Sequence, residues 1–374
     1  MTARIATVRP TERGCEIAWA ESGQRSDLPW LWLRELCLCA ACYNAQTHQR
    51  EVYTAGLPVD IAASEVSVAE EGEALTVTWS HDGHQSRYAA ADLLGWVSKR
   101  GDAGIERRLW DASVARELPR LPMARFMADD DEALREGLEA IERYGFCFVH
   151  DVPPTLGDTR AVVERIGYIR ETIFGGLWSF SAEAMVHSDS AYSTQALRPH
   201  TDGTYSLDAP GLQIFHCLEY EGQGGESILV DGFQIAERLR REQPEAFRVL
   251  ASVEVTGQYI EPGVHLEASR PIFRLNQAGA LLQVTFNNYD RAPLRLMNGQ
   301  MEAFYDALRA FETLANDPSL QLKHLLQRDE VLLIDNWRVM HARAAYQGKR
   351  RMAGCYVNRE DFESKLRVLR ETRH

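Results

Sequence analysis

The stretch that most constrains this chain is Arg198-Pro199-His200-Thr201-Asp202-Gly203-Thr204. His200 and Asp202 are separated by one residue, so on an extended backbone both side chains leave the same face. An imidazole and a carboxylate held that way can take adjacent positions around one metal ion. Another histidine, His341, follows the apolar run Val331-Leu332-Leu333-Ile334 and the loop Asp335-Asn336-Trp337. Two histidines and a carboxylate cover one face of an octahedron and leave the opposite face open. That is the donor set of a non-haem Fe(II) centre, which needs open positions for O2 and an electron-donating co-substrate. A lone His-x-Asp is nevertheless common by chance, so the triplet needs support from the rest of the chain.

Support comes from two further segments. Ser227 ends the turn Gly224-Gly225-Glu226-Ser227, which leads into the strand-like Ile228-Leu229-Val230. Arg350 opens the strand-like segment Arg350-Arg351-Met352-Ala353-Gly354-Cys355-Tyr356, in which Arg350, Met352, Gly354 and Tyr356 share one face. A guanidinium forks onto a carboxylate through two hydrogen bonds, and a hydroxyl can add a third. A dicarboxylic co-substrate chelating iron at one end would need such an anchor at the other. Arg351 is the rival for that role.

A separate motif lies near the amino terminus. Three of the seven cysteines crowd into Cys37-Leu38-Cys39-Ala40-Ala41-Cys42. Thiolates at that spacing can grip one zinc ion from a tight loop, and a fourth ligand would close the tetrahedron. His84, on the turn Asp82-Gly83-His84, is the expected fourth ligand, with His81 as its close rival. Such a closed site would be structural. Cys15, Cys147, Cys217 and Cys355 sit alone in apolar contexts and read as buried thiols.

The chain is long enough, at 374 residues, for one large or two ordinary domains. Residues 1–100 are expected to form a small β-rich zinc-binding domain, with strands over Cys15–Trp19 and Ala74–Trp79 that alternate as half-buried strands do. Residues 101–128 read as a connector, punctuated by Gly101, Gly104, Pro119 and Pro122. Residues 129–374 form the main domain. In it a helix starts at the acidic Asp129-Asp130-Asp131 and stops at Gly145. Phe146–Val149 is a buried strand, and a second helix covers Asp158–Ile166. From Ala191 to Glu360 short strands alternate with Gly/Pro/Asn turns, as in a double-stranded β-helix (jelly roll). Helical inserts interrupt them at 233–251 and 299–316. The expected fold class is therefore mainly β with helices, and no internal repeat is visible.

The four sequence stretches around the motifs carry a family likeness. They are Gly211-Leu212-Gln213-Ile214-Phe215-His216-Cys217-Leu218, Leu229-Val230-Asp231-Gly232-Phe233, Phe286-Asn287-Asn288-Tyr289-Asp290-Arg291-Ala292 and Ile334-Asp335-Asn336-Trp337-Arg338-Val339-Met340-His341. With the triad, the Gly-Gly turn and the cysteine motif, the chain resembles the taurine-dioxygenase-like 2-oxoglutarate oxygenases. The likeness sharpens to the γ-butyrobetaine and trimethyllysine hydroxylase branch and covers nearly the whole chain.

The resemblance implies Fe(II) on His200, Asp202 and His341, and 2-oxoglutarate held by Ser227 and Arg350, with O2 as the other co-substrate. It also implies structural Zn(II) on the amino-terminal module and a small trimethylammonium substrate. Phe174, Trp178, Tyr192 and Tyr356 fall where the family builds an aromatic cage for the quaternary ammonium, whose charge is drawn to ring faces. Asp189 would add a negative charge there, and Asn287 and Asn288 would bind the substrate's polar end. Phe174 replaces a tyrosine of the animal enzymes. Asp189 matches trimethyllysine hydroxylases where γ-butyrobetaine hydroxylases carry Asn, and Gly203 also departs from the γ-butyrobetaine pattern.

Microbial hydroxylases of 2-(trimethylamino)ethylphosphonate are similar as well. Arg198, Arg291 and Arg295 flank the pocket segments and could balance a dianion, which gives the phosphonate a slight preference. γ-Butyrobetaine and trimethyllysine are the alternatives. A non-catalytic quaternary-ammonium binder is the reading from another class, and it would have no need of both triad and arginine anchor. The net charge of −13 argues against nucleic acid and anionic membranes as partners. No apolar run approaches the roughly 20 residues of a membrane helix, and no presequence is apparent, so a cytoplasmic protein is expected; the resemblance, whose hydroxylases are dimers, implies a homodimer.

Overall fold

The computed structural model describes residues 3–98, 106–181, 193–297 and 299–371. The chain divides into two units, Met1–Gly104 and Ile105–His374. Among the described residues no helix is long and apolar enough to cross a membrane.

The first unit repeats one motif. Strands β1 (Ile5–Thr11), β2 (Gly14–Trp19) and β3 (Arg25–Pro29) form an antiparallel sheet and run into helix α1 (Trp30–Glu35). A short hairpin follows, β4 (Tyr43–Asn44) and β5 (Gln49–Arg50). Then β6 (Ala63–Ala69), β7 (Ala74–Trp79), β8 (Gln85–Ala89) and α2 (Ala90–Val97) trace the same path again. The central strands β2 and β7 share one alternation, burying Cys15, Ile17 and Trp19 in one and Leu75, Val77 and Trp79 in the other. Each closing tryptophan donates its indole N–H to a serine on the next strand, Trp19 to Ser26 at 3.0 Å and Trp79 to Ser86 at 2.9 Å. Both turns place a glycine at positive φ, Gly23 at 65° and Gly83 at 70°.

Sequence inspection missed this repeat. What the halves hold in common is burial pattern and a few isolated residues (Trp19/Trp79, Gly23/Gly83, Ser26/Ser86, Leu33/Leu93), too thinly spread to register as self-similarity. Both copies bury their apolar faces in one shared core, where Trp30 and Trp79 meet edge to face at 6.1 Å.

In the second unit, the stretch expected as a connector contributes elements of its own. Strand β9 (Arg120–Pro122) and helix α3 (Met123–Phe126) bury Leu121 and Phe126, because these two apolar side chains complete the core beneath the next helix. That helix, α4 (Glu132–Tyr144), follows the acidic run and ends at Gly145, beyond which β10 (Phe146–His150) pairs parallel with β9. Next come α5 (Leu156–Glu164), β11 (Leu177–Ser181), β12 (Leu197–His200), β13 (Leu212–Gly224) and β14 (Ser227–Asp231).

The first predicted insert is two helices, α6 (Gly232–Glu242) and α7 (Pro244–Ser252), since Pro244 cannot continue the preceding helix. Hairpins β15 (Glu254–Glu261)/β16 (Val264–Pro271) and β17 (Phe273–Leu275)/β18 (Leu281–Val284) follow, then the second insert, α8 (Gln300–Ala315). The chain closes with β19 (Gln321–His324), β20 (Val331–Asp335), β21 (Val339–Arg343), β22 (Tyr346–Val357) and α9 (Arg359–Glu371).

Two sheets make the jelly roll, one ordered β11-β22-β13-β20-β10-β9 and the other β12-β21-β14-β19. Strand alternation decides which side chains meet between them. Phe146, Phe148, Leu332 and Ile334 of the larger sheet pack with Leu229 and Leu322 of the smaller. Their neighbours Cys147, Val149, Val331 and Leu333 face the other way, onto α4, α5 and α9. The smaller sheet positions the site, because β12 pairs with β21 so that His200 lies opposite His341.

Candidate metal centres and active-site cavity

In the first unit the three cysteines follow α1, and His84 sits on the turn between β7 and β8. The His84 Nε2 lies 3.4 Å from Cys37 Sγ, 3.7 Å from Cys39 Sγ and 3.5 Å from Cys42 Sγ. A tetrahedral zinc ion, with Zn–S near 2.3 Å and Zn–N near 2.0 Å, sets sulfur-to-nitrogen edges at about 3.5 Å. The four atoms thus already sit at the corners such an ion requires, and His84 rather than His81 completes them. The His81 imidazole instead lies 3.2 Å from Asp82 Oδ2. Three thiolates around a dication leave one excess negative charge. The buried Arg34 supplies the opposite one, donating to Cys42 Sγ and to Asp82 Oδ2, both at 3.3 Å. Asp82 in turn accepts the His84 backbone N–H at 3.0 Å, which fixes the turn that carries the imidazole.

In the second unit His200, Asp202 and His341 converge, with their donor atoms within 4.8 Å of one another. The His200 Nδ1 is 2.8 Å from the Arg198 carbonyl, so that nitrogen is the donor and Nε2 keeps its lone pair for a metal. Tyr356 donates its hydroxyl to Asp202 Oδ2 at 2.9 Å. The remaining Oδ1 stands 3.6 Å from His200 Nε2 and 3.5 Å from His341 Nε2. Burial pushes the Asp202 carboxyl up and the His341 imidazole well down. Among the described residues no lysine or arginine pairs with Asp202, so a divalent cation is the charge this donor set lacks.

Asn336, given no role by the sequence, holds the aspartate's backbone. Its Oδ1 accepts the Asp202 N–H at 2.8 Å, and its Nδ2 donates to the Asp202 and Pro210 carbonyls at 3.0 Å. Gly203 then turns the chain at φ 69°, where a Cβ would come within 2.5 Å of Pro210 Cδ. That crowding accounts for the glycine after the ligand.

The triad faces a cavity of about 220 Å³ between the sheets. Ser227 and Arg350 line it together with Arg343, which the sequence reading passed over. Arg343 lies two residues after His341 and opposite Ser227 in the β14–β21 register, so strand alternation was the available signal. Burial, reinforced by the neighbouring Arg350, pushes the Arg343 guanidinium down to about 10. Arg350 is lowered as well, by burial. Two desolvated guanidiniums at one end of the cavity favour an anionic guest. Arg351 points outward, half-exposed, 3.6 Å from Glu219.

Aromatic rings form an arc in the cavity wall. Phe174 and Trp178 lie 5.7 Å apart, and Trp178 and Tyr356 5.1 Å apart. Tyr259 lies 5.9 Å from Phe174 and 5.2 Å from Tyr205, adding two rings that no sequence motif marked. Gly354 makes room for the arc, since a Cβ there would reach the Trp178 indole at 3.1 Å.

Asn287 lines the cavity, whereas Asn288 is exposed and does not. Asp189 and Tyr192 lie outside the described residues. Arg198, Arg291 and Arg295 are absent from the described lining, and the Arg291 guanidinium stacks over Tyr305 at 5.5 Å.

The chain is similar to known proteins along nearly its whole length. Residues 108–356 match the model described as "Taurine catabolism dioxygenase TauD, TfdA family". Residues 6–94 match "Gamma-butyrobetaine hydroxylase-like, N-terminal". A mitochondrial trimethyllysine dioxygenase of Gallus gallus is 37% identical, over 95% of this chain and 85% of its own. The trimethyllysine dioxygenase of Meyerozyma guilliermondii is 34% identical, over 94% of this chain and 92% of its own. The gamma-butyrobetaine dioxygenase of Pseudomonas sp. strain AK-1 is 32% identical, over 98% of this chain and 96% of its own.

Proposed function

This chain belongs to the TauD/TfdA dioxygenase family, and from that premise we propose that it hydroxylates a C–H bond of a small trimethylammonium compound, with N6-trimethyl-lysine as the preferred substrate. It is a 2-oxoglutarate-dependent dioxygenase with Fe(II) as its catalytic metal. When bound, iron and 2-oxoglutarate supply the oxidising power, the keto acid losing CO2 as O2 is consumed.

The residues have these proposed tasks. His200, Asp202 and His341 hold the metal on one face, and Tyr356 keeps Asp202 Oδ1 turned toward it. Ser227 and Arg350 take the distal carboxylate of 2-oxoglutarate, fixing its keto acid end at the triad. Phe174, Trp178, Tyr356 and, by the family pattern, Tyr192 and Asp189 receive the quaternary ammonium. Asn287 meets the polar end. Held at both ends, the substrate presents one methylene to the metal, and the apolar walls exclude water. Cys37, Cys39, Cys42 and His84 hold zinc in a closed, purely structural site.

The observation that carries this reading is Tyr356 itself. Its ring belongs to the aromatic arc and its hydroxyl to the metal ligand, so cage and metal share one side chain. The same wall argues against the phosphonate that the flanking arginines had favoured, because none of the three lines the cavity and Asp290 does.

Succinate release by iron-loaded protein, measured with N6-trimethyl-lysine, γ-butyrobetaine and 2-(trimethylamino)ethylphosphonate, tests the proposal. The lysine derivative is expected to give the highest kcat/KM, and no coupled turnover with any of the three would refute the reading. A cytoplasmic homodimer completes the proposal, with sedimentation of the purified chain as its check.

A further inference from the structure

Asp290 has no part in the machinery described so far, although it lines the cavity beside the aromatic arc. Its backbone carbonyl accepts the Gln258 N–H at 2.7 Å, which seats it against the residue preceding Tyr259. Its Oδ2 accepts from Asn287 Nδ2 at 2.7 Å and from Thr204 Oγ1 at 3.4 Å. The Asn287 Oδ1 accepts the Tyr289 N–H at 2.9 Å, so the amide is oriented from both ends. An amide nitrogen carries two hydrogens, and Asp290 takes one. The result is a polar corner with a carboxylate beside an amide donor, in a wall otherwise rich in rings.

The chemistry of that corner separates the candidate substrates. A carboxylate attracts an ammonium group and repels an anion. An amino-acid head offers both an ammonium for Asp290 and a carboxylate for the second Asn287 hydrogen. γ-Butyrobetaine offers only the carboxylate, and a phosphonate brings a larger negative charge to the same place. We infer that Asp290 determines specificity by receiving the α-ammonium of an amino-acid substrate. This assignment rests on the trimethylammonium-hydroxylase reading and extends it to the opposite end of the substrate.

The test uses holoenzyme with N6-trimethyl-lysine and its desamino analogue, 6-(trimethylammonio)hexanoate, which has the same chain length and no α-amino group. Wild-type protein is expected to prefer the lysine derivative in kcat/KM by roughly 10- to 100-fold, the range for one charge-assisted hydrogen bond that only the amino acid can make. Asp290→Asn should shrink that preference to within about threefold, mainly through a higher KM for the amino acid, as expected when a charge-assisted bond is lost. Asp290→Glu should restore part of it.

The visible Fe(II)–2-oxoglutarate band, measured anaerobically, reports whether each variant keeps its metal site. Equal turnover of the two compounds by wild type overturns the assignment and needs no variant. An undiminished preference in a well-folded Asp290→Asn overturns it too, and both results leave the hydroxylase reading standing. Absence of turnover with every trimethylammonium compound overturns the two together.

Discussion

At Cys37, Cys39, Cys42 and His84 the chain supplies donors on every side of an ion, whereas at His200, Asp202 and His341 it supplies one face and a cavity. Both clusters are braced by a further layer of hydrogen bonds, from Arg34 and Asp82 in the first and from Tyr356 and Asn336 in the second. What differs is the surroundings. The cysteine cluster is wrapped by its own turn and loop. The triad opens toward two desolvated guanidiniums on one side and an arc of rings on the other. A closed shell can contribute to stability alone, while an open one can exchange guests.

Breaking each shell should therefore produce losses of different kinds. The largest expected effect is on chemistry. His200→Ala or Asp202→Ala should bring succinate formation to background while leaving zinc content at one equivalent, so retained turnover in either would disqualify the triad. Next comes Cys42→Ser, which should abolish zinc binding and destabilise its unit by more than about 4 kcal/mol. An unchanged zinc content and melting profile would remove the structural role.

Arg350→Ala should raise the 2-oxoglutarate KM by roughly 30- to 1,000-fold, the range for truncating one partner of a desolvated charge pair. The outward-facing Arg351→Ala should change it by less than about twofold. The reverse order would reassign the anchor. Smaller than the Arg350 effect is that of Asn336→Ala, expected to weaken Fe(II) affinity by about 10- to 100-fold without altering zinc content. An equal loss of both metals would point to general unfolding.

The unequal legibility of the two regions follows from where their contacts are made. Both ligand sets are announced by local spacing, His-x-Asp in one case and C-x-C-x-x-C in the other, because a strand or a tight loop converts spacing directly into direction. The jelly roll was legible from short alternating strands. Tyr205, Tyr259, Arg343, Asn336 and Asp290 reach the site through sheet register and hairpin packing, which no single segment encodes. Asn288 shows the converse, since its position beside Asn287 on the chain puts it outside the cavity. The repeat in the first unit was hidden for a related reason: burial can be kept while nearly every residue identity changes.

That repeat gives the candidate zinc ligands an unusual distribution. The cysteines trail from the first copy and the histidine belongs to the second, where the first copy's matching turn carries Gln24. An ion held there would rivet the two halves, adding to their shared core, the Arg34–Asp82 pair and the Tyr88 hydroxyl that donates to the Leu33 carbonyl. Cleaving the backbone at the exposed Val59 between the copies should yield two fragments whose reassociation is reversed by a chelator.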